Sequence, residues 1–421
     1  MTDLANQAFG KHDQVGYCTN VHAGRDLPSV LDNLEKHSLP IRKLVGSEQP
    51  LCVGLWFSEV SAAQALQPAA LASLKNKLEQ FQLVPFTLNG FPQGDFHSRV
   101  VKHRVYQPTW WQQERLDYTL NLIRLLDQLL AYGQVGSIST LPIAWRDPLP
   151  TRDQLKQAAS QLIEVATVLH RQFEQTGRKI VLAIEPEPGC YLTDSSSFRM
   201  FFNEYLRAAY LPDGTSEIVG EYLTLCHDVC HAAVMYEDQT FELQQLKNDD
   251  IAIGKVQVSS AVKVDWDAMT GSQRVEAFEQ LKGFAEDRYL HQVNRTVNRT
   301  VNRTESARES ARESRELIED LPTAMSSVSN SADLTGEWRI HFHVPIFLSQ
   351  LGLIQSTQCE IRKLLEILSG PADSRPEFTG HFEVETYAWG VLPKALFVES
   401  LNEGIAREVT WFNKALSLKG K

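Results

Sequence analysis

Short apolar segments alternate with longer amphipathic segments along the whole chain. Nine apolar segments are rich in β-branched and aromatic residues, and most of them end at polar residues, glycine or proline. This composition and this boundary pattern are typical of buried β-strands. The nine strand candidates are residues 15–22, 51–58, 83–90, 136–145, 179–189, 221–228, 251–260, 338–347 and 381–390.

The segments between these candidates have helical periodicity. Thr151 followed by Gln154 predicts a capping box, and Gly177 stands where the helix that begins there should end. Thr357 with Glu360 predicts a second capped helix that ends near residue 370, and residues 110–132 and 398–415 have the same pattern. Strands separated by helix-length connections predict right-handed βαβ units and a parallel sheet.

The number of units favours a closed barrel over an open sheet. Eight or nine strand–helix units in 421 residues predict an α/β fold of the (β/α)₈ type, in one domain that covers residues 1–421. The early strands are followed by neither of the glycine-rich motifs of nucleotide-binding open sheets. The ninth candidate, at 338–347, is surplus, and we expect it to belong partly to a long loop after barrel strand seven.

One stretch breaks the pattern. Residues 293–304 repeat Val-Asn-Arg-Thr three times, residues 305–315 read ESARESARESR, and the chain stays polar to about residue 333. Perfect short repeats with few large apolar groups are typical of chains that cannot offset the entropy cost of ordering. We therefore predict a disordered insertion over 293–333, after barrel strand seven and outside the catalytic machinery.

Composition limits the functions that the chain can have. The net charge is −11 with 22% charged residues, which argues against a general nucleic-acid binder. No apolar run approaches the roughly 20 residues of a membrane span, and the start shows no signal peptide. The six cysteines form no framework. These features predict a cytoplasmic protein with a small-molecule substrate.

In a barrel of this kind the working side chains lie at the C-terminal ends of the strands. Glu185, Asp228 and Glu385 each close an apolar run, where a carboxylate is costly to bury without a proton, a cation partner or a metal. Oxygen and imidazole ligands from separate strands suit Mn²⁺, Mg²⁺, Co²⁺ or Zn²⁺.

Of the other strand-end and loop candidates, Asn20, His22, Asn89, His97 and Lys102 are predicted to bind substrate, Gln257 to bind the metal, and His231, His341 and His343 to support the ligands or hold a second metal. Glu187 and Glu383 lie two residues from Glu185 and Glu385 and could share their side of the strand, but Pro186 and Pro188 leave the geometry at Glu187 open. We favour Glu385 over Glu383 because it lies nearer the strand end.

Several of these residues have a structural alternative. Asp228 is a metal ligand or the cap of the helix that follows it, and His231 is a ligand or a donor that holds Asp228 in place. His341 and His343 could supply a second metal or a proton shuttle, or lie in a surface strand. Lys102 is expected on a loop over the barrel mouth, where it offers a cation to an anionic substrate group; an aromatic lid on the rim is the alternative.

The motifs AIEPEPG (183–189), HDVCH (227–231) and EVETYAW (383–389) resemble strand ends five, six and eight of xylose-isomerase-like barrels. The resemblance implies a divalent metal held by Glu185, Asp228 and Glu385, with His231 completing the Asp-x-x-His arrangement. At strand seven, Gln257 stands where those families commonly have histidine. A glutamine carbonyl can bind a metal, but as a neutral and weaker ligand.

The stretches GYCTNVHAG, VVKHRVYQPTWWQQER, STLPIAW and VETYAWGVLP also resemble EboE-type metabolite-traffic proteins. This resemblance implies a sugar-phosphate isomerase or epimerase in which Glu185 and Glu385 move a proton, with partners among the proteins of the same metabolite-traffic cluster. The alternative is a non-catalytic metabolite-binding and transfer barrel, which Gln257 favours. A third hypothesis, phosphodiester cleavage of the endonuclease-IV type, ranks last because the acidic chain would repel a polyanion.

Overall fold

Eight parallel strands form a closed barrel in the computed structural model, which describes residues 13–46, 49–207, 215–297, 314–396 and 400–418. The first strand, β1, pairs with both the second and the last barrel strand, so the sheet closes on itself. The barrel strands are β1 (Gln14–Cys18), β2 (Leu51–Trp56), β3 (Leu83–Asn89), β4 (Val135–Thr140), β5 (Lys179–Ile184), β6 (Leu223–Asp228), β7 (Ile253–Val258) and β14 (His381–Val384). The predicted (β/α)₈ barrel is confirmed.

Helices connect the barrel strands and cover the outside of the barrel. The helix Arg152–Thr176 begins with the predicted capping box of Thr151 and Gln154 and ends at Gly177, whose φ of 67° is a left-handed conformation that favours glycine. The α-helices are Leu27–Asn33, Leu39–Leu44, Glu59–Ala65, Pro68–Gln80, Gln113–Leu129, Arg152–Thr176, Ser195–Phe201, Thr215–Tyr222, Val229–Val234, Gln239–Asn248, Gly271–Lys282, Leu321–Ser326, Gln358–Leu368 and Leu401–Ser417. Among the described residues, no helix is both long enough and apolar enough to cross a membrane.

The predicted capping box of Thr357 and Glu360 is wrong, although the helix exists as Gln358–Leu368. The Thr357 hydroxyl accepts a hydrogen bond from the Ala261 backbone N–H instead of capping its own helix. Glu360 accepts one from the Gln239 side-chain amide. Tertiary partners therefore outcompete the local cap at this helix start.

A second, antiparallel sheet lies between β7 and β14 in the chain. Its six strands are ordered β10-β9-β11-β8-β13-β12. Their bounds are β8 (Val262–Asp265), β9 (Val293–Val297), β10 (Ser314–Ile318), β11 (Glu337–Ile340), β12 (Gln350–Leu351) and β13 (Ile354–Ser356). The surplus ninth strand candidate is confirmed as lying outside the barrel wall, because its first residues form β11 and residues 341–347 continue without regular structure.

The prediction of a disordered insertion over 293–333 is wrong for the parts that the structure describes. The first Val-Asn-Arg-Thr repeat is the strand β9, which pairs with β10 on one side and β11 on the other. Val293 is fully buried, and the Arg295 guanidinium pairs with Glu316 at 2.8 Å. Hydrogen bonding to strands on both sides and this burial offset the entropy cost of ordering a short polar repeat. Residues 298–313 lie outside the described residues.

The barrel interior contains a charged pair below the rim formed by the C-terminal strand ends. Lys255 on β7 and Glu383 on β14 are both fully buried, and their side chains lie 2.6 Å apart. A Cβ atom added to Gly54 on β2 would lie 1.4 Å from a carboxylate oxygen of Glu383. The glycine therefore makes room for the carboxylate, and the ion pair occupies interior space that apolar side chains commonly fill.

Candidate metal centre and cavity

Three carboxylates meet at one rim of the barrel. Glu185 directly follows β5, Asp228 is the last residue of β6, and Glu385 directly follows β14. The C-terminal ends of parallel barrel strands lie at one face, so residues far apart in the chain are brought together. One carboxylate oxygen from each of the three lies within 4.8 Å of the others, and all three side chains are buried.

The electrostatics of this three-carboxylate set are those of a cation site. Burial, together with the charges of Glu385 and Asp228, raises the pKa of Glu185 well above its usual value of 4.5. Burial and the charges of Asp228 and Glu383 raise the pKa of Glu385 in the same way. A divalent cation would relieve this repulsion, because it stabilises the ionised form of each carboxyl group.

Asp228 combines both of the roles considered for it. Burial alone would raise its pKa, but His231, His343 and hydrogen bonds together lower it below 3.8. Its Oδ1 atom accepts from the His231 backbone N–H and from the Ser259 hydroxyl, each at 2.8 Å, so it caps the helix Val229–Val234. Its Oδ2 atom is buried and has no hydrogen-bond partner among the described residues. One oxygen therefore holds the helix while the other remains available to a cation.

Two asparagines orient Glu385. The side-chain amides of Asn20, just after β1, and Asn89, at the end of β3, each donate to the Glu385 Oε1 atom at 2.8 Å. Both asparagines line the same cavity as the carboxylate. These predicted substrate-binding residues thus hold one carboxylate oxygen in place.

Three histidines approach the carboxylates, and two of them come from the chain segment after β11. The Nδ1 atoms of His231 and His343 lie 2.9 and 2.7 Å from the backbone oxygens of Pro186 and Glu385. The His343 Nε2 atom lacks a hydrogen-bond partner among the described residues and lies 3.9 Å from Asp228 Oδ2. Burial lowers the pKa of His341 well below 6.5 and that of His343 to about 4. Both rings are therefore neutral at pH 7, as metal ligands must be.

The surface-strand alternative for His341 and His343 is wrong, because both side chains are buried. The sequence alone left their role open, because the strand candidate that contains them is surplus to the eight strands of the barrel. The second sheet places them at the barrel rim, and no periodicity in the local sequence could have indicated that.

Gln257 lies on β7, where its Cα pairs with that of Asp228 on one side and that of Glu383 on the other. It is fully buried, and neither its amide oxygen nor its amide nitrogen has a hydrogen-bond partner in the described part of the chain. A buried amide without partners is costly unless a ligand or water satisfies it. This unsatisfied amide fits the predicted metal-ligand role, which stays a prediction.

A cavity of about 60 Å³ opens above the carboxylates. Eight of the predicted site residues line it, namely Asn20, Asn89, Lys102, Glu185, His231, His341, His343 and Glu385. The remaining wall is largely aromatic and apolar, and consists of Phe91, Pro92, Phe96, Val101, Val105, Tyr106, Tyr289, Leu290 and Tyr387, with Glu187 as an additional acid. A mostly apolar wall with a few convergent polar groups is typical of a small-molecule site.

Three predicted substrate-binding residues do not present free polar atoms to this cavity. His22 lines a separate small cavity and stacks on His37 with ring centres 4.1 Å apart. The His97 ring lies 2.7 Å from the Asn20 carbonyl oxygen, so it supports that loop. Lys102 lines the cavity, but its amine pairs with Asp320 at 2.8 Å, and this hydrogen bond raises the pKa of Lys102.

Sequence reasoning missed or underrated several site residues. Glu187 was left ambiguous, yet it lines the cavity and accepts a hydrogen bond from the Tyr106 hydroxyl at 2.7 Å. Glu385 was preferred to Glu383 for the site, and Glu383 indeed lies below it, paired with Lys255. A lysine in the middle of an apolar strand is the signal that could have revealed this buried pair.

Two cysteines, Cys226 and Cys230, flank His227 and Asp228. Cys226 and Cys230 are buried free thiols, and burial raises the pKa of both well above 9.0. The thiol of Cys226 lies 3.6 Å from a carboxylate oxygen of Glu185. As protonated thiols they fit the role of small core residues.

The chain matches no protein-family model and no curated protein sequence. Among solved structures it is similar to a xylose-isomerase-like TIM barrel protein from Mycobacterium smegmatis in complex with magnesium, at 8% identity, with 97% of each chain covered and a TM-score of 0.50. The fold is that of a xylose-isomerase-like (β/α)₈ barrel. The EboE-type assignment finds no support in these comparisons.

Two other solved structures align over nearly the whole chain. One is the probable 3-DHS dehydratase AsbF from Bacillus anthracis, at 10% identity, with 95% of this chain and 98% of that chain covered and a TM-score of 0.45. The other is a xylose isomerase domain protein from Alicyclobacillus acidocaldarius, at 13% identity, with 97% and 100% covered and a TM-score of 0.42.

Proposed function

We propose that this protein is a divalent-metal-dependent isomerase or epimerase that acts on a small sugar-like substrate, with a sugar phosphate as the first class to test. The observation that carries the proposal is the three-carboxylate set of Glu185, Asp228 and Glu385. These groups come from three separate strand ends, are buried, and have oxygens within 4.8 Å of one another. Buried acids in this arrangement are costly without a cation.

Asp228, Glu185 and Glu385 would hold the cation, with Gln257 as a neutral oxygen ligand and His343 as a nitrogen ligand. The unsatisfied atoms of Asp228, Gln257 and His343 support this ligand set. Carboxylate and carbonyl oxygens favour Mg²⁺ or Mn²⁺, and an added imidazole also suits Co²⁺ or Zn²⁺. The similar barrel from Mycobacterium smegmatis was solved with magnesium.

A bound cation would chelate neighbouring substrate oxygens and polarise a carbonyl group. The chain's own carboxyl groups would move the proton, since Glu185 and Glu385 directly follow β5 and β14 and both line the cavity. Asn20 and Asn89 would keep Glu385 in position for that transfer, because both hold its Oε1 atom. The aromatic wall would limit the access of water to the reacting carbons.

Lys102 supports an anionic substrate group. Its side chain lines the cavity and is 30% exposed, and its partner Asp320 comes from the chain between β10 and β11. An incoming phosphate or carboxylate could replace Asp320 as the partner of this amine. Partners among proteins of a metabolite-traffic cluster remain a prediction from the sequence resemblance alone.

Metal analysis of the purified protein, beside a Glu185→Ala, Asp228→Ala double variant, tests the proposal. Stoichiometric Mn, Co, Mg or Zn in the wild type and its loss in the variant are expected. Isomerisation of a panel of sugar phosphates, followed by proton exchange with deuterated water, would then identify the substrate. A wild-type protein that cannot be loaded with any of these metals would contradict the proposal.

The second candidate function is a metabolite-binding barrel without turnover. Gln257 favours it, because a neutral amide in place of a histidine weakens metal binding. Binding of a sugar phosphate that is independent of metal, with no deuterium incorporation, would support this candidate. The Gln257→His variant should separate the two functions, since only the enzyme is expected to gain metal affinity together with turnover.

A further inference from the structure

Glu408 is a buried carboxylate on the last helix, Leu401–Ser417, and is not among the residues that line the cavity. Its side chain accepts three hydrogen bonds. The Oε1 atom accepts from the Thr386 hydroxyl at 2.6 Å and from the Ile346 backbone N–H at 3.1 Å. The Oε2 atom accepts from the Trp389 indole N–H at 2.8 Å. All three donors are neutral groups, so these contacts bring no positive charge to the carboxylate.

The donors belong to two chain segments that carry proposed cation ligands. Thr386 and Trp389 lie in the loop after β14, which begins with Glu385. The third donor is the backbone N–H three residues after His343, in the segment that follows β11. The two segments also meet directly, because the His343 Nδ1 atom lies 2.7 Å from the Glu385 carbonyl oxygen. Glu408 therefore joins the two segments whose contact brings Glu385 and His343 together.

The last helix has a surface that is shaped to receive Trp389. The tryptophan is buried, and a Cβ atom added to Gly404 would lie 2.3 Å from its ring. Gly404 precedes Glu408 by four residues, so both lie on one face of the helix. The glycine makes room for the indole ring while the carboxylate fixes its N–H group. Together they hold the loop after β14 against the helix.

A carboxylate at this position is costly. Burial raises the pKa of Glu408 to about 7, and the hydrogen bonds from the three donors oppose this shift only in part. An apolar side chain would fill the same space without that cost. An ionised carboxylate, however, has two oxygens that both accept, whereas a glutamine has one oxygen and an NH₂ group that donates. Of these side chains, only the carboxylate accepts from all three donors at once.

We propose that Glu408 is a positioning residue of the cavity, which fixes the loop after β14 against the segment after β11 and thereby sets the separation between Glu385 and His343. This role rests on the proposed function, in which both of those residues bind the cation. Groups that hold metal ligands in place typically contribute roughly 10- to 100-fold to metal affinity. Loss of the three hydrogen bonds should therefore weaken cation binding although every ligand is still present.

Titration of the full-length, metal-depleted protein with Co²⁺ tests this role, with the visible absorption of bound Co²⁺ as a second readout. Glu408→Gln keeps the size of the side chain but turns an NH₂ group towards at least one of the three donors. Its Kd for Co²⁺ should rise roughly 10- to 100-fold. The absorption should change as well, because the position of His343 relative to the ion changes.

A second substitution should restore binding. In the double variant Trp389→Phe, Glu408→Gln, the amide nitrogen no longer meets the indole N–H, and the amide oxygen can still accept from Thr386 and Ile346. The double variant should bind Co²⁺ within about threefold of Trp389→Phe alone. A double variant that binds as weakly as Glu408→Gln would overturn the positioning role.

Phe412→Leu is the matched control. Phe412 is buried one turn after Glu408 on the same helix, and its ring packs on Phe382 of β14 with the ring centres 5.2 Å apart. This variant should melt at a lower temperature than the wild type and keep its Kd for Co²⁺ within about threefold. An equal loss of affinity in Phe412→Leu and Glu408→Gln would show that the helix acts only by packing, and would overturn the positioning role.

One further measurement does not require a metal. In crystal structures of the metal-free proteins, the distance from His343 Nδ1 to the Glu385 carbonyl oxygen, 2.7 Å in the wild type, should exceed about 3.5 Å in Glu408→Gln. An unchanged distance would overturn the positioning role. If Glu408→Gln does not fold, Thr386→Val carries the test, because it removes one donor at nearly constant size; its Kd should rise roughly tenfold.

The positioning role and the proposed function can fail separately. A wild type that binds Co²⁺, beside a Glu408→Gln variant with the same Kd and the same absorption, would overturn the positioning role and leave the proposed function standing. A wild type that binds no Co²⁺ would count against the proposed function. In that case the distance between His343 and Glu385 in the metal-free variant decides whether Glu408 positions these residues.

Discussion

Replacing Glu185 by glutamine measures the cost of the buried carboxylates directly. In the absence of a cation, burial and the charges of Glu385 and Asp228 keep the pKa of Glu185 well above 4.5. A group with a raised folded-state pKa contributes stability that is fully present below pH 4.5 and is lost as the pH rises through the folded-state value. The wild type in a chelator should therefore lose stability between about pH 4.5 and neutrality, and Glu185→Gln should lose less.

The size of the effect follows from the protons taken up on folding. A carboxyl group with an unfolded pKa of 4.5 that stays protonated at pH 7 in the folded state costs at most about 3 kcal/mol, at 1.36 kcal/mol per pH unit. Glutamine has no ionisable carboxyl group, so the variant does not have this cost. With an unfolding entropy of roughly 2 cal/mol/K per residue, a chain of this length should melt at most about 4 °C higher as Glu185→Gln.

Thermal melts followed by circular dichroism, at pH 4.5 and pH 7 and with EDTA or Mn²⁺, are the assay. In EDTA at pH 7 the variant should melt above the wild type, and at pH 4.5 the difference should vanish. In Mn²⁺ at about 1,000 times its Kd the order should reverse, because binding then stabilises the wild type by about 4.1 kcal/mol, which exceeds the cost of the buried carboxyl group. Glu164→Gln, at an exposed helical position, is the control. A variant that is less stable than the wild type at pH 7 in EDTA would refute the reasoning.

Three further predictions concern individual positions. Asp228→Ala should lower the metal content whereas Cys226→Ala should not, since the thiol is a protonated core group; equal metal loss by elemental analysis in both would contradict the ligand assignment. Gly54→Ala should destabilise the fold by more than about 3 kcal/mol in urea unfolding, because its Cβ would lie 1.4 Å from a Glu383 oxygen, and a midpoint within experimental error of the wild type would be the contrary result. His22→Asn should leave metal content and substrate affinity unchanged, since the ring lines a separate cavity; a loss of either in a folded variant would return His22 to the site.

The local sequence was enough for the barrel and for the carboxylates. Apolar strands that alternate with capped helices predict that the C-terminal strand ends lie at one rim. A carboxylate at the end of a buried strand needs a proton, a cation partner or a metal. That reasoning correctly placed Glu185, Asp228 and Glu385 near one another. It could also prefer Glu385 to Glu383, because the two differ in their distance from the strand end.

What the sequence could not decide depends on contacts between distant segments. The first Val-Asn-Arg-Thr repeat forms a strand because it pairs with β10 and β11. The residues of one segment do not show which strands it will pair with.

The same limit applies to individual site residues. His341 and His343 lie at the barrel rim because they follow β11 of the second sheet, which packs there. His22 stacks on His37 and does not line this cavity. By itself, the sequence determined the barrel and the acids at its rim, since these follow from local periodicity. Only the tertiary structure decided which imidazoles and amides join those acids, because that depends on packing across more than 100 residues of intervening chain, as in the contact between His231 and His341.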